Sequence, residues 1–189
     1  MATDEEYRER IEQYARGDLL DLWGAINVGD TPGWPAGKAF EYLILRAFQL
    51  EGAYVNWPYT VTIGELTGSE SREIAEQIDG FVHTENGLAC LIECKNYGEE
   101  KANLEPIAKL RNQLLRRSPA IFGVVFSRSG FTGPALLLAR FTAPQTILLW
   151  TGSEVEIALR NRWFCKGLME KYRVCLAKGT PDYHISVEA

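Results

Sequence analysis

Asp79, Glu93 and Lys95 stand where an ordinary buried hairpin would place apolar residues. They frame the stretch QIDGFVHTENGLACLIECKNYG, residues 77–98, whose middle is apolar. Glu93 and Lys95 lie two residues apart, so on a strand they share a face. Asn86-Gly87 marks the turn. Loop length then decides the chemistry. A two-residue loop pairs Glu85 with Leu88 and sets Asp79 opposite Cys94, so Asp79 and Glu93 point to opposite sides. A three-residue loop, Glu85-Asn86-Gly87 with Gly87 left-handed, pairs Thr84 with Leu88 and sets Asp79 opposite Glu93. One face then carries Asp79, Phe81, His83, Ala89, Leu91, Glu93 and Lys95. The other carries Ile78, Val82, Cys90, Ile92 and Cys94, all apolar. The second register sorts polar from apolar residues and is the one expected here; a bulge would achieve the same.

Two carboxylates that converge on a partly apolar face repel each other unless a cation sits between them. Hard oxygen donors favour Mg²⁺ or Mn²⁺, which keep waters and bind through one or two carboxylates plus a substrate phosphate. Such an ion polarises a phosphoryl oxygen and acidifies a bound water. A lysine beside it orients or helps deprotonate that water, and stabilises transition-state charge. The set suits hydrolysis of a phosphodiester.

The flanking elements must hold this hairpin. Residues 7–26 read as one or two short helices, interrupted near Gly17, and form an N-terminal helical extension over 1–30. Asn27 to Gly37 is rich in Gly and Pro and reads as a loop. Its Gly37-Lys38 imitates a phosphate-binding loop, but Pro32 stands where the first glycine is required and Ala39 replaces the Ser/Thr. KAFEYLILRAFQLEG predicts a helix with a stripe of Phe40, Leu43, Ile44, Ala47 and Phe48, ended by Gly52. AYVNWPYTV is strand-like, with Pro58 arguing for an edge or a bulge. After the hairpin, EPIAKLRNQLLRRS predicts a helix that buries Ile107, Leu110 and Leu114. AIFGVVFS reads as a central strand covered on both faces, and QTILLW as another buried strand. Between them FTGPALLLARF reads as a short helix with Thr132 as cap and Pro134 in its first turn. Glu154 to Lys178 reads as mostly helical, with a break at Gly167. The order predicts a three-layer α/β fold, a mixed sheet flanked by helices. We expect a single domain over 1–189, with a core over 37–150 and a C-terminal helix and tail over 151–189.

The 189 residues carry a net charge of −5. Residues 1–94 hold 6 Lys/Arg against 17 Asp/Glu, whereas 95–178 hold 14 against 6. The basic second half suits a polyanionic partner, while the acidic total argues against binding nucleic acid by bulk charge alone. No apolar run approaches the ~20 residues of a membrane span, and the acidic start Met1 to Glu6 lacks a hydrophobic signal core. A cytoplasmic location is expected. Cys90, Cys94, Cys165 and Cys175 form no CxxC pair, and His83 and His184 are the sole histidines, a poor set for zinc. Small buried hydrophobes are the expected role of Cys90 and Cys94.

Asp79, followed by Glu93-Cys94-Lys95, matches the D-x(n)-(D/E)-x-K pattern. The chain from about Gly37 to Trp150 resembles the PD-(D/E)xK nuclease superfamily, in particular its restriction endonuclease-like, Mrr-type members. The motif alone is loose; its place between a glutamate-bearing helix and a glutamine-bearing helix is more specific. The resemblance implies that Asp79 and Glu93 bind the divalent ion with the backbone carbonyl of Cys94, and that Lys95 acts on the attacking water. It departs from the pattern at Ile78, which stands in place of proline before Asp79, a substitution that many members share. It also points to Glu41, on the first core helix, as a metal-site acid, and to Gln113 on the later helix. Read by themselves, Glu41 is equally a surface acid and Gln113 part of a solvated helix face. Arg116 and Arg117 lie three and four residues beyond Gln113 and share its face, as a nucleic-acid contact would require.

Ser127-Arg128-Ser129-Gly130 follows a buried strand and reads as a phosphate-contact loop, or simply as a turn with a cap. His83 lies four residues from Asp79, ~13 Å along a strand, and is expected to be structural. Trp34, Trp57 and Trp150 are expected to pack rather than stack on bases. The resemblance implies a Mg²⁺-dependent endonuclease of a restriction or defence type acting on DNA, most easily as a homodimer. Its alternatives are a structure-specific nuclease similar to Holliday-junction resolvases and a non-catalytic nucleic-acid-binding module on the same fold.

Overall fold

The computed structural model describes residues 3–35 and 37–186. Met1 and Ala2 of the acidic start, Ala36 of the Gly/Pro-rich loop and residues 187–189 of the tail lie outside the described residues. The chain opens with α1 (Asp4–Glu12) and α2 (Arg16–Val28), separated at Gln13 to Ala15, close to Gly17, which itself lies in the first turn of α2. Thr3 and Glu6 form a capping box that starts α1. α3 (Lys38–Leu50) follows, with Phe40, Leu43, Ile44, Ala47 and Phe48 buried as the periodicity requires.

The strand-like stretch around Pro58 divides there. β1 (Tyr54–Asn56) is an edge of the main sheet, and β2 (Tyr59–Thr62) leaves it. A short helix α4 (Ile63–Thr67) leads to β3 (Ile74–Ile78), which pairs with β2 in a separate two-stranded sheet. The hairpin is β4 (Gly80–His83) and β5 (Ala89–Lys95). Then come α5 (Glu105–Leu114), β6 (Ile121–Ser127), α6 (Gly133–Arg140), β7 (Ile147–Thr151), α7 (Gly152–Asn161) and α8 (Phe164–Lys178). Thr132 caps α6 by accepting the Ala135 N–H. The last helical region breaks not at Gly167 but at Arg162, which adopts a φ of +57° and caps α7. Gly167 lies inside α8, against Trp150.

The main sheet has the order β1-β4-β5-β6-β7, antiparallel through β5 and parallel from β5 to β7. This is the mixed sheet of a three-layer α/β fold. Val82, Cys90, Ile92 and Cys94 face a core shared with α3, α8, Phe126 and Trp150. Leu91, Val125 and Leu149 face a second core closed by Ile107, Leu110 and Leu114 of α5 and by Ala135 and Ala139 of α6. Gly123 of β6 lets α5 lie close to the sheet, because a Cβ there would stand 2.6 Å from Leu110 Cδ2. Trp34 stacks on Tyr7, Trp57 on Tyr42 and Trp150 on Phe164, so these indoles pack. All four cysteines are free, with Cys90 and Cys94 buried. Among the described residues no helix is long and apolar enough to cross a membrane.

The hairpin takes the three-residue loop. Val82 pairs with Cys90 and His83 with Ala89, Thr84 N–H donates to the Leu88 carbonyl at 2.9 Å, and Gly87 sits at φ +81°. One residue departs from the expected face. Ile78 packs with Leu91 and Val125, not with Val82 and Cys90. The reason is a bend at Asp79, where the chain passes from the small sheet into the large one, so side-chain alternation does not run unbroken through it.

Candidate active site

That bend places Asp79 beside the carboxyl end of β5. Asp79 is 8% exposed and Glu93 fully buried. The Cys94 N–H donates to Asp79 Oδ2 at 2.8 Å, tying the bend to the strand that carries Glu93. The amide and carbonyl of one strand residue point to the same edge, so the Cys94 carbonyl also faces the Asp79 side. Lys95 ends β5, with its Nζ 2.8 Å from Glu93 Oε1 and 5.8 Å from the Tyr97 ring centroid. Asp79, Glu93 and Lys95 thus meet in one cluster at the end of the central strands.

A fourth group joins them that sequence reasoning missed. Lys109 of α5 places its Nζ 2.7 Å from Glu93 Oε2 and 3.9 Å from Asp79 Oδ1. A signal existed, because Lys109 precedes Gln113 by one helical turn and therefore shares its face. Gln113 itself is buried, and its Nε2 donates to the Gln77 carbonyl at 3.0 Å. It holds β3 two residues before Asp79, acting on the site through the backbone.

Glu41 comes from the first turn of α3, on the opposite helical layer. Its nearest cation is Lys38, at 3.4 Å, and Lys38 also reaches Asp4 at 3.2 Å. Burial pushes the Glu41 carboxyl above its usual range, and Lys38 pulls it back in part. Its charge is felt at Asp79, yet among the described residues no three His, Cys, Asp or Glu side chains close around one point.

α5 ends at Leu114, so Arg116 and Arg117 lie in the turn beyond it rather than on its Gln113 face, and both turn to Glu76 of β3, a buried acid, with Arg117 at 2.8 Å. Arg128 donates from Nε to Asn96 Oδ1 at 2.7 Å and also reaches the Gly98 carbonyl. Ser127 is buried, and its hydroxyl donates to the Gly130 carbonyl at 2.7 Å. The loop after β6 is therefore stitched to the loop after β5, beside Lys95. His83 is exposed at the far end of β4.

The electrostatics follow from crowding. Burial, then the charges of Glu93 and Glu41, push the Asp79 carboxyl up to about 7, against the pull of the Cys94 N–H and Lys109. Burial disfavours the Lys95 ammonium, but Glu93, by charge and hydrogen bond, and Asp79 outweigh it, so its net direction is upward. The Asp79 shift has a stability consequence. From its ordinary value of 3.8 to about 7 the folded carboxyl keeps a proton that the unfolded one has lost. The unfolded state then binds fewer protons, and stability falls as pH rises through that window. Asp79→Asn keeps an acceptor for Cys94 and removes the charge. In EDTA at about pH 8, its melting temperature is expected to exceed that of the wild type, by about 2–4 °C for each kcal/mol recovered. The two should converge toward about pH 4. Differential scanning calorimetry across that range checks it; equal melting points at pH 8 would refute the shift.

A mixed sheet between helical layers, with a carboxylate pair and a lysine at the end of its central strand, defines a restriction endonuclease-like fold of the nuclease class. The family model Mrr_cat, described as restriction endonuclease, matches residues 36–158, and the chain belongs to this family. Among curated proteins, no match was found.

Proposed function

We propose that this protein is a metal-dependent endonuclease that hydrolyses DNA phosphodiester bonds, of a restriction or defence type, working as a homodimer. The observation that carries this reading is the cluster of buried Asp79 and Glu93 with the partly exposed Lys95 within the matched family region. The residues fit a hard divalent cation. Two carboxylates converge, burial and then the charges of Glu93 and Glu41 push Asp79 up, and an ammonium, that of Lys109, already stands within reach of both. Asp79, Glu93 and the Cys94 carbonyl would hold Mg²⁺ or Mn²⁺, with Glu41 as a further acid nearby. The ion, when bound, supplies an acidified water and a polarised phosphoryl oxygen.

The protein's own groups do the rest. The Cys94 amide fixes the orientation of Asp79, and Gln113 steadies the strand that leads into it. Lys95 stands at the strand end with 22% of its side chain exposed, able to meet an incoming phosphate and orient a water. Glu93 keeps it an ammonium in the metal-free site, which favours electrostatic stabilisation of the phosphorane over base catalysis. Arg128 and the loop from Ser127 to Gly130 lie beside Lys95, where a DNA backbone would pass. Arg116 and Arg117 would reach phosphate only by sharing or leaving Glu76.

The test is cleavage of linear, branched and methylated DNA with Mg²⁺, with Mn²⁺ and with EDTA. Cleavage that requires the metal supports the reading, and the preferred substrate separates a restriction enzyme from a junction resolvase. DNA left intact under all metal conditions would return the fold to a binding module.

A further inference from the structure

Glu93 has two carboxylate oxygens, and two different lysines take one each. Lys95, from the same strand, pairs with Oε1, and Lys109, from α5, pairs with Oε2. Asp79 Oδ2 is held by the Cys94 amide, so Oδ1 is the oxygen left to face the pair, and Lys109 is its nearby cation at 3.9 Å. Lys109 is thus an ammonium within 4 Å of both carboxylates, and a metal shared by Asp79 and Glu93 would compete with it for them. An ammonium and a divalent cation cannot occupy the same small space between them.

The two lysines differ in freedom. Lys95 is 22% exposed and fixed to the end of a sheet strand, whereas Lys109 is 35% exposed on a helix at the rim. A flexible four-carbon stem lets its ammonium swing into water. Lys109 also brings a positive charge to the carboxylate pair that Lys95 alone meets only at Glu93.

Resting on the reading of this cluster as a metal centre, we propose that Lys109 is a displaceable counter-ion. Its ammonium holds the cation position between Asp79 and Glu93 in the metal-free protein and leaves when the divalent ion enters. Lys109 thereby stabilises the empty site and sets the metal affinity below what the carboxylates alone would give.

The test is calorimetric titration of Mn²⁺ into the metal-free full chain without DNA. Wild type, Lys109→Met and Asp79→Asn are compared. Lys109→Met is expected to bind Mn²⁺ about tenfold more tightly, the scale usual for two coupled binding events. It should melt below wild type in EDTA, with the gap closing at saturating Mn²⁺. Binding that is lost in Asp79→Asn yet equal or weaker in Lys109→Met overturns the role of Lys109 alone. Binding absent from the wild type, or untouched by Asp79→Asn, overturns the metal centre and this proposal with it. Should Lys109→Met fail to fold, ¹³C-lysine NMR of the wild type decides. The Lys109 side-chain signal, assigned with Lys109→Arg, must move as Mg²⁺ saturates the site, and a signal that stays in place contradicts displacement.

Discussion

Lys95→Ala is expected to lower single-turnover DNA cleavage by about 10²–10³-fold, the usual cost of removing one preorganised charge from a developing oxyanion. Stability should change little. Lys95 ends its strand and is partly exposed, and its side-chain partners are Glu93 and the Tyr97 ring. Glu93 would keep Lys109 on its other oxygen, so the buried carboxylate is not orphaned. Lys95→Arg preserves charge but spreads it over a planar fork that does not reproduce a point ammonium, so partial activity is expected. Cleavage rates under metal saturation, measured beside thermal melts, separate lost chemistry from lost fold. An alanine variant as active as wild type would remove Lys95 from the mechanism.

Glu93→Gln should have the larger effect. Glu93 is fully buried at the centre of the cluster, and each of its oxygens pairs with a different lysine. The amide is neutral, offers one acceptor and turns an N–H₂ donor toward a lysine. Loss of one of the two carboxylates proposed to hold the metal is expected to cost several kcal/mol of transition-state stabilisation, about 10³-fold or more in rate. The fold should lose about 1–3 kcal/mol. That is less than a fully buried pair would forfeit, because Lys95 and Lys109 can both turn to solvent. Mn²⁺ affinity, cleavage rate and denaturant unfolding together measure it. Retained metal binding in Glu93→Gln would move the centre elsewhere.

Much of this architecture was legible because two separate signals agreed. Asn86-Gly87 marked a turn, and the sorting of polar from apolar residues on either side chose the three-residue loop. That choice is the register observed from His83–Ala89 to Gly80–Ile92, which ends one residue short of Asp79. The central strands were equally legible, since AIFGVVFS is apolar on both faces and α5 and α3 cover those faces. What the pattern hid was the change of sheet at Asp79. Alternation assumes one continuous strand, and a bend that hands the chain from β3 to β4 leaves no mark in residue spacing. For that reason Ile78 was set on the wrong side, and the small sheet of β2 and β3 went unread.

The site was legible where residues are local and hidden where they are remote. Asp79, Glu93 and Lys95 come from one hairpin, so spacing sufficed to bring them together. Lys109 reaches them across a helix-to-sheet packing distance set by Gly123 and Leu110, which no motif encodes. Glu76 is similar. As a buried acid on a short strand of the small sheet, it draws in Arg116 and Arg117, which sequence alone leaves facing solvent and free for a phosphate.

Whether Asp79 and Glu93 jointly hold a divalent ion can be seen by anomalous diffraction from crystals of the protein soaked in Mn²⁺. A manganese peak is expected between the Asp79 and Glu93 carboxylates, absent from Asp79→Asn crystals under the same soak. Crystals saturated with Mn²⁺ that show no peak there, or an equal peak in the variant, would contradict a metal held by this pair.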